Sequence, residues 1–190
     1  MKKENMLLIL IALIVGILGG YLIFSVAGKK QTVPVGGGVP IGAGSPTDYQ
    51  KRITEAEKIV AQDPKNLQAW VQLGNDYFDT GQAQKAIYAY GKALELKPND
   101  PNVLTDQGVM YKQAGAFDKA IANFERAQQI DPTHLQSLYN MGVVYSEDLK
   151  QPDKALKAWD RYLEIDSTSP TAQQIKGMIE RLKANPKGFK

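Results

Sequence analysis

The chain has 190 residues, and its 23 basic residues slightly outnumber its 20 acidic residues. Four Lys and one Glu lie before Gln31, so the rest of the chain is neutral overall. A domain without excess positive charge does not favour nucleic acid as a partner. The single His and the absence of Cys exclude zinc sites built from several such ligands, cysteine nucleophiles and disulfides.

A long apolar run opens the chain. Met6–Ala27 contains no charged side chain, and a helix of this length, at about 1.5 Å per residue, crosses a bilayer core. We predict a transmembrane anchor with a short stub over residues 1–28. A cleavable signal is the alternative, because Ser25-Val26-Ala27 resembles a cleavage site, although the run is longer than the roughly 7–15 apolar residues of such signals. Gly16 and Gly20 have the spacing that brings two spans together, which suggests a weak dimer.

The charges beside this run favour neither orientation. Lys2, Lys3 and Glu4 precede it, and Lys29 and Lys30 follow it. A short N-terminal stub directly before a span is typical of a signal anchor with its N-terminus inside. We therefore expect an inner-membrane protein whose remaining residues lie in the periplasm, and the opposite orientation is the alternative.

A linker and a capping helix follow the anchor. Residues 29–44 contain Gly36, Gly37, Gly38, Pro34 and Pro40, and such a flexible chain of about 16 residues reaches roughly 20–25 Å. Residues 45–64 begin with the N-cap signal Ser45-Pro46. This segment predicts a single helix with Ile53, Ala56 and Ile59 on its buried face.

The rest of the chain repeats itself with a constant period, in which Gly74 of the first copy returns as Gly108 of the second. The two copies share large apolar, small and aromatic positions, with Gln107 as the one exception. These are Trp70, Leu73, Gly74, Tyr77, Ala86, Tyr90, Ala93 and Pro98, followed by Leu104, Gln107, Gly108, Tyr111, Ala120, Phe124, Ala127 and Pro132. A third copy starts with Leu138, Met141, Gly142 and Tyr145, but its Ala155 follows the Gly one position later than in the other copies. We expect the extra residue in the loop between its two helices.

Each copy predicts two helices in which small and large residues alternate at i, i+4 and i+7, so that neighbouring helices interlock. A last helix over 170–184 has one apolar face and one charged face, as a terminal cap requires. The predicted fold class is all-α: an α-solenoid of three repeats over 67–100, 101–134 and 135–169, flanked by capping helices at 45–64 and 170–184.

The pattern W-x2-L-G-x2-Y…A-x3-F…A…P resembles the tetratricopeptide repeat family. The resemblance implies a protein that binds a protein or peptide segment in a groove and that is not an enzyme. In this family the second, fifth, ninth and twelfth residues of each repeat line the groove. On this chain they are Gln68, Val71, Asn75, Phe78, Asn102, Thr105, Val109, Lys112, Gln136, Tyr139, Val143 and Ser146.

The family also includes members that grip a C-terminal carboxylate. Asn75 and Asn140 suit such a clamp, but Val71 and Thr105 occupy the fifth positions and Asp106 adds a negative charge, so we do not expect one here. The anchored layout resembles bacterial assembly factors, including those that hold apocytochromes during c-type haem attachment. A stably bound accessory subunit of a membrane complex is the alternative, and mitochondrial outer-membrane receptors show the opposite orientation.

No residue pattern indicates chemistry. His134 is expected in a surface turn between repeats, and Glu147 with Asp148 at the solvated end of a helix. No Gly-rich loop joins a strand to a helix. We predict no catalytic residues, no metal site and no cofactor.

Overall fold

The computed structural model describes residues 46–185, and over this range the chain forms eight α-helices and no strand. The helices are α1 (Pro46–Gln62), α2 (Leu67–Asp79), α3 (Ala83–Leu96), α4 (Pro101–Gln113), α5 (Phe117–Ile130), α6 (Leu135–Val143), α7 (Pro152–Ile165) and α8 (Pro170–Ala184). A π-helical segment, Val144–Asp148, directly extends α6. The predicted anchor and linker, including Gly16 and Gly20, lie outside the described residues.

Three helix pairs, α2/α3, α4/α5 and α6/α7, form the three predicted repeats, and each helix packs against the next one along the chain. A glycine on the first helix of each pair lies directly against an aromatic ring on the second. A Cβ added to Gly74 or Gly108 would lie 2.5 Å from the ring of Tyr90 or Phe124. At Gly142 it would lie 2.1 Å from Trp159 Nε1. The predicted interlocking of small and large residues is confirmed.

The turn inside each repeat is closed by a residue with left-handed backbone. Gly81 and Gly115 have φ of 69° and 75°, and Lys150 occupies the same place in the third repeat with φ of 54°. Glycine adopts this conformation at little cost. Each turn therefore has the same shape although the third lacks glycine.

The extra residue of the third repeat does not lie in the loop, and that prediction was wrong. The turns between paired helices each contain three residues, 80–82, 114–116 and 149–151. The insertion is taken up by the π-helical segment, where Leu149 N donates to Val144 O at 2.9 Å. A π turn absorbs one residue within the helix. The aromatic ring of Tyr145 and the following turn thus keep the places they have in the other repeats.

The two ends of the array are covered differently. On α1, Ile53, Ala56 and Val60 are buried, whereas Ile59, which we predicted on the buried face, is 36% exposed. Among the described residues, extensive packing on α1 comes from α2 alone, which leaves much of the opposite side of α1 uncovered. On α8, the predicted apolar face is buried through Ile175, Met178, Ile179 and Leu182. No helix between residues 46 and 185 has the length and apolar composition needed to cross a membrane.

Candidate functional site

The first helices of the three repeats, α2, α4 and α6 with its π-helical extension, carry all twelve predicted groove residues. We call the surface formed by their uncovered side chains the first-helix face. Gln68 and Asn102 are among its accessible residues. Partly buried are Val71, Asn75, Phe78, Val109, Lys112, Gln136 and Val143. These nine side chains are accessible to a partner.

The other three predicted groove residues are buried. Thr105 is fully buried, and its hydroxyl donates to Pro101 O at 2.7 Å. Tyr139 is 8% exposed and accepts a hydrogen bond from Gln174 on α8. Ser146 is 1% exposed and donates to Val143 O at 3.1 Å. Their side chains hold the array together and present almost no surface to a ligand.

The burial of Ser146 follows from the π-helical insertion. One added residue after Tyr145 advances the end of the helix by one position. Glu147, which is exposed, therefore occupies the place that Phe78 and Lys112 have in the first two repeats. The twelfth residue of the third repeat is Ser146, so the family position pointed to the residue before Glu147.

Asn75 is held in a defined orientation. The hydroxyl of Tyr90, a residue that is 1% exposed, donates to Asn75 Oδ1 at 2.8 Å. This bond joins the second helix of the first repeat to the first-helix face. A partner meets a fixed amide at this point instead of a mobile one.

His134 lies in the turn between the second and third repeats, as predicted, but its side chain is only partly exposed. It is the N-cap of α6, where Ser137 N donates to its Nδ1 at 3.3 Å. Its Nε2 lies 3.0 Å from Asn102 Oδ1, so the ring bridges the second and third repeats. Burial lowers the pKa of His134 and favours the neutral ring that this arrangement requires.

Acidic residues flank the predicted groove positions, and of these the sequence had pointed only to the negative charge of Asp106. Asp79 and Asp106 lie on α2 and α4, close enough to Tyr90 that both negative charges raise the pKa of its hydroxyl, after burial as the main cause. The pKa of Asp106 is raised to about 7 by burial and by the charges of Asp100 and Asp79. We call Asp79 and Asp106 the acid pair. Extending the family positions by one residue on each side would have identified both.

Two more carboxylates lie at the other end of the face. Lys112 Nζ is 3.7 Å from Glu147 Oε2 and 3.6 Å from Asp148 Oδ2. These long ion pairs join α4 to the π-helical segment. Glu147 and Asp148, which we predicted to be simply solvated, therefore pair with the one cation on the first helices.

A depression between α1 and α2 lies next to the first-helix face, and Gln68, Gln72, Arg52 and Ile59 are among the residues that line it. Arg52 forms an ion pair with the fully buried Asp76, which also accepts from Gln72. Within residues 46–185 no three His, Asp or Glu side chains are grouped so that they hold a metal ion. The arrangement offers hydrogen-bonding, apolar and negatively charged surface for binding.

Comparisons with known proteins agree with the helix pairs. Family models described as TPR repeat and tetratricopeptide repeat match residues 74–113, 108–148 and 136–169. No curated protein sequence matches the chain significantly.

Solved structures show the same fold. A crystal structure of MamA is 24% identical, covers 73% of this chain and 80% of its own, and has a TM-score of 0.67. A tetratricopeptide repeat protein from Parabacteroides merdae is 21% identical over 73% of this chain and 61% of its own, with a TM-score of 0.58. The TPR domain of Arabidopsis OM64 is 16% identical over 60% of this chain and 94% of its own, with a TM-score of 0.57. The chain belongs to the tetratricopeptide repeat family.

Proposed function

We propose that this protein is a membrane-tethered adaptor that binds a segment of another protein along the first-helix face. Tetratricopeptide repeats are protein interaction modules, which supports the general function. The observation that carries the assignment to this face is the set of apolar side chains left partly uncovered there. Val71, Phe78, Val109 and Val143 are all only partly buried, although they stand beside a well-packed core. Apolar side chains beside polar amides form the kind of surface that holds an extended or helical peptide.

The apolar residues of the second helices provide the matching control. Tyr88 and Leu96 on α3 are 60% and 40% exposed and also lie outside the core. We therefore compare Phe78→Ala with Val109→Ala against Tyr88→Ala with Leu96→Ala. Both pairs remove apolar side chains that are not fully buried, and circular dichroism melts show whether stability is matched.

The assay is crosslinking in membranes of cells that make the full chain, with bound proteins identified by mass spectrometry. Loss of a partner with the Phe78 and Val109 variant, and retention with the control variant, supports binding on the first-helix face. The reverse result would place the interface on the second helices. Such an outer surface suits permanent packing and would favour a stably bound accessory subunit over an adaptor that releases its client.

The tether is the second part of the proposal. Met6–Ala27 is long and apolar enough to hold the repeats at the inner membrane, and the linker of residues 29–44 keeps them close to the bilayer. We place the repeats in the periplasm, where a role as an assembly factor for envelope or c-type cytochrome complexes fits the layout. Protease added to spheroplasts is expected to digest the repeats. Digestion only after the inner membrane is lysed would show the opposite orientation.

A weak dimer through Gly16 and Gly20 completes the proposed arrangement. The variant Gly16→Ile with Gly20→Ile is expected to reduce crosslinking between copies, because bulky residues keep two spans apart. If this variant is crosslinked as strongly as the unchanged protein, the two glycines do not form a dimer contact.

A further inference from the structure

The charges of the repeats are unevenly distributed between the two sets of helices. The first helices, with the π-helical segment, carry five acidic residues and one basic residue: Asp76, Asp79, Asp106, Glu147 and Asp148 against Lys112. The second helices, α3, α5 and α7, carry seven basic and six acidic residues. The first helices thus carry a net charge of −4 and the second helices +1, so the negative charge of the repeats is concentrated on the first helices.

Only part of this negative charge is compensated within the described residues. Asp76 is paired with Arg52. Lys112 is shared between Glu147 and Asp148, so its single charge balances one of the two. The acid pair is left without a cation in the described structure.

Asp106 shows how unusual this arrangement is. Its side chain is partly buried, and the charged groups that act on it are two further carboxylates, Asp100 and Asp79. Asp100 itself is engaged elsewhere, because it accepts from Lys97 at 2.9 Å and caps α4. Like charges held near one another disfavour the ionised carboxylates, and a cation placed beside them would relieve this repulsion.

The surroundings of the acid pair suit one kind of ligand. Phe78 and Val109 lie on the same two helices as Asp79 and Asp106 and are only partly buried. Apolar surface next to a carboxylate accommodates the methylene stem of a Lys or Arg side chain whose charged end reaches the acid. The fixed amide of Asn75 offers a further polar contact beside them.

We propose that the segment bound on the first-helix face is cationic, and that it places a Lys or Arg side chain between Asp79 and Asp106. This inference rests on the proposed function, since it names the chemistry of the ligand for the same face. A free C-terminal carboxylate is disfavoured there by repulsion from the acid pair.

The test begins with a phage library of random peptides, selected on the full chain in a nonionic detergent. Selected peptides are synthesised, and their binding is measured by fluorescence anisotropy to the protein and to two charge-matched variants. Asp79→Asn with Asp106→Asn removes the acid pair. Asp118→Asn with Asp160→Asn removes two exposed acids on the second helices and changes the net charge equally.

We expect the selected peptides to be rich in Lys and Arg. Their affinity should fall by roughly tenfold or more with the acid-pair variant and change little with the control variant, since truncating a partly buried charge pair has effects of this size. Replacing the basic residues of a selected peptide by Gln should cause a similar loss. The affinity should also fall as salt rises from about 0.05 to 0.5 M.

Two other results would overturn the inference in different ways. The selection could instead yield neutral or acidic peptides that bind less tightly to the Phe78→Ala and Val109→Ala variant. That result would leave the proposed function intact but show that its ligand is not cationic. Basic peptides that bind equally to both charge variants and to the Phe78 and Val109 variant would place binding away from the first-helix face. That outcome would overturn the proposed function as well.

Discussion

The close approach of paired helices can be tested with two glycines that differ in what surrounds them. Gly108 and Gly91 both lie inside helices, α4 and α3. A Cβ at Gly108 would lie 2.5, 2.9 and 3.0 Å from three carbons of the Phe124 ring. A Cβ at Gly91 would meet only Gln107 Nε2, at an ordinary 3.5 Å. Substituting each by Ala adds the same single carbon in a crowded and in an open position.

The expected difference can be worked out because the two changes share their backbone term. Replacing Gly by Ala inside a helix gains about 1 kcal/mol in both variants. At Gly108 the ring of Phe124 is fully buried and has to move, and overpacking of this kind costs about 1–3 kcal/mol. Gly108→Ala should therefore be less stable than Gly91→Ala by about 1–3 kcal/mol. For a domain of this size the difference corresponds to roughly 3–10 °C in melting temperature.

Urea and thermal unfolding followed by far-ultraviolet circular dichroism measure this difference. Gly91→Ala should match or exceed the stability of the unchanged protein. Equal stability of the two variants would contradict the packing argument, because it would mean that the ring of Phe124 moves aside at no cost. Gly74→Ala, against Tyr90, is expected to repeat the effect in the first repeat.

Three further predictions concern the isolated array and two titratable residues. Residues 45–190 without the anchor should form a highly helical domain that needs no cofactor, because neighbouring repeats supply the stabilising interfaces, and strand or disorder in its circular dichroism would contradict this. His134→Ala should lower the unfolding free energy by about 1 kcal/mol through loss of the N-cap. This loss should become smaller as pH falls below the ordinary histidine pKa of 6.5, because the folded state disfavours the charged ring. The folded pKa of Asp106, about 7, exceeds the ordinary value of 3.8, so the protein loses stability as pH rises between these two values. Asp106→Asn should therefore raise the unfolding free energy near pH 8 by about a few kcal/mol and have little effect near pH 4. Urea titrations at several pH values test both variants, and a pH-independent effect of Asp106→Asn would refute the assigned cause.

The sequence by itself determined the repeat architecture. The constant period, the glycines that face aromatic rings and the left-handed turn residues all concern contacts that recur from repeat to repeat. Because each repeat meets much the same neighbours, its local pattern contains the information needed to place its helices. The burial of Ala86, Tyr90, Ala120 and Phe124 could therefore be predicted from spacing alone.

Where the repeats differ from one another, the sequence did not determine the local structure. The extra residue of the third repeat fits either a longer loop or a π turn, and the choice depends on keeping Tyr145 in contact with the preceding repeat, where its hydroxyl lies 3.4 Å from Glu125. The sequence placed His134 in the turn between repeats but did not show its contact with Asn102, because Asn102 lies far earlier in the chain, in the preceding repeat. Such bonds across repeats follow from stacking and leave no periodic signal.

At the candidate site, too, the sequence determined some features and the tertiary structure decided others. The family pattern located the first-helix face and most of its accessible side chains, since those positions follow from helical geometry. Asp79 and Asp106 belong to different repeats and are separated in the chain by the whole of α3. Only the packing of α2 against the later helices decided that their charges act on each other and on Tyr90, because electrostatic interaction depends on distance in space and on the removal of water, neither of which the sequence states.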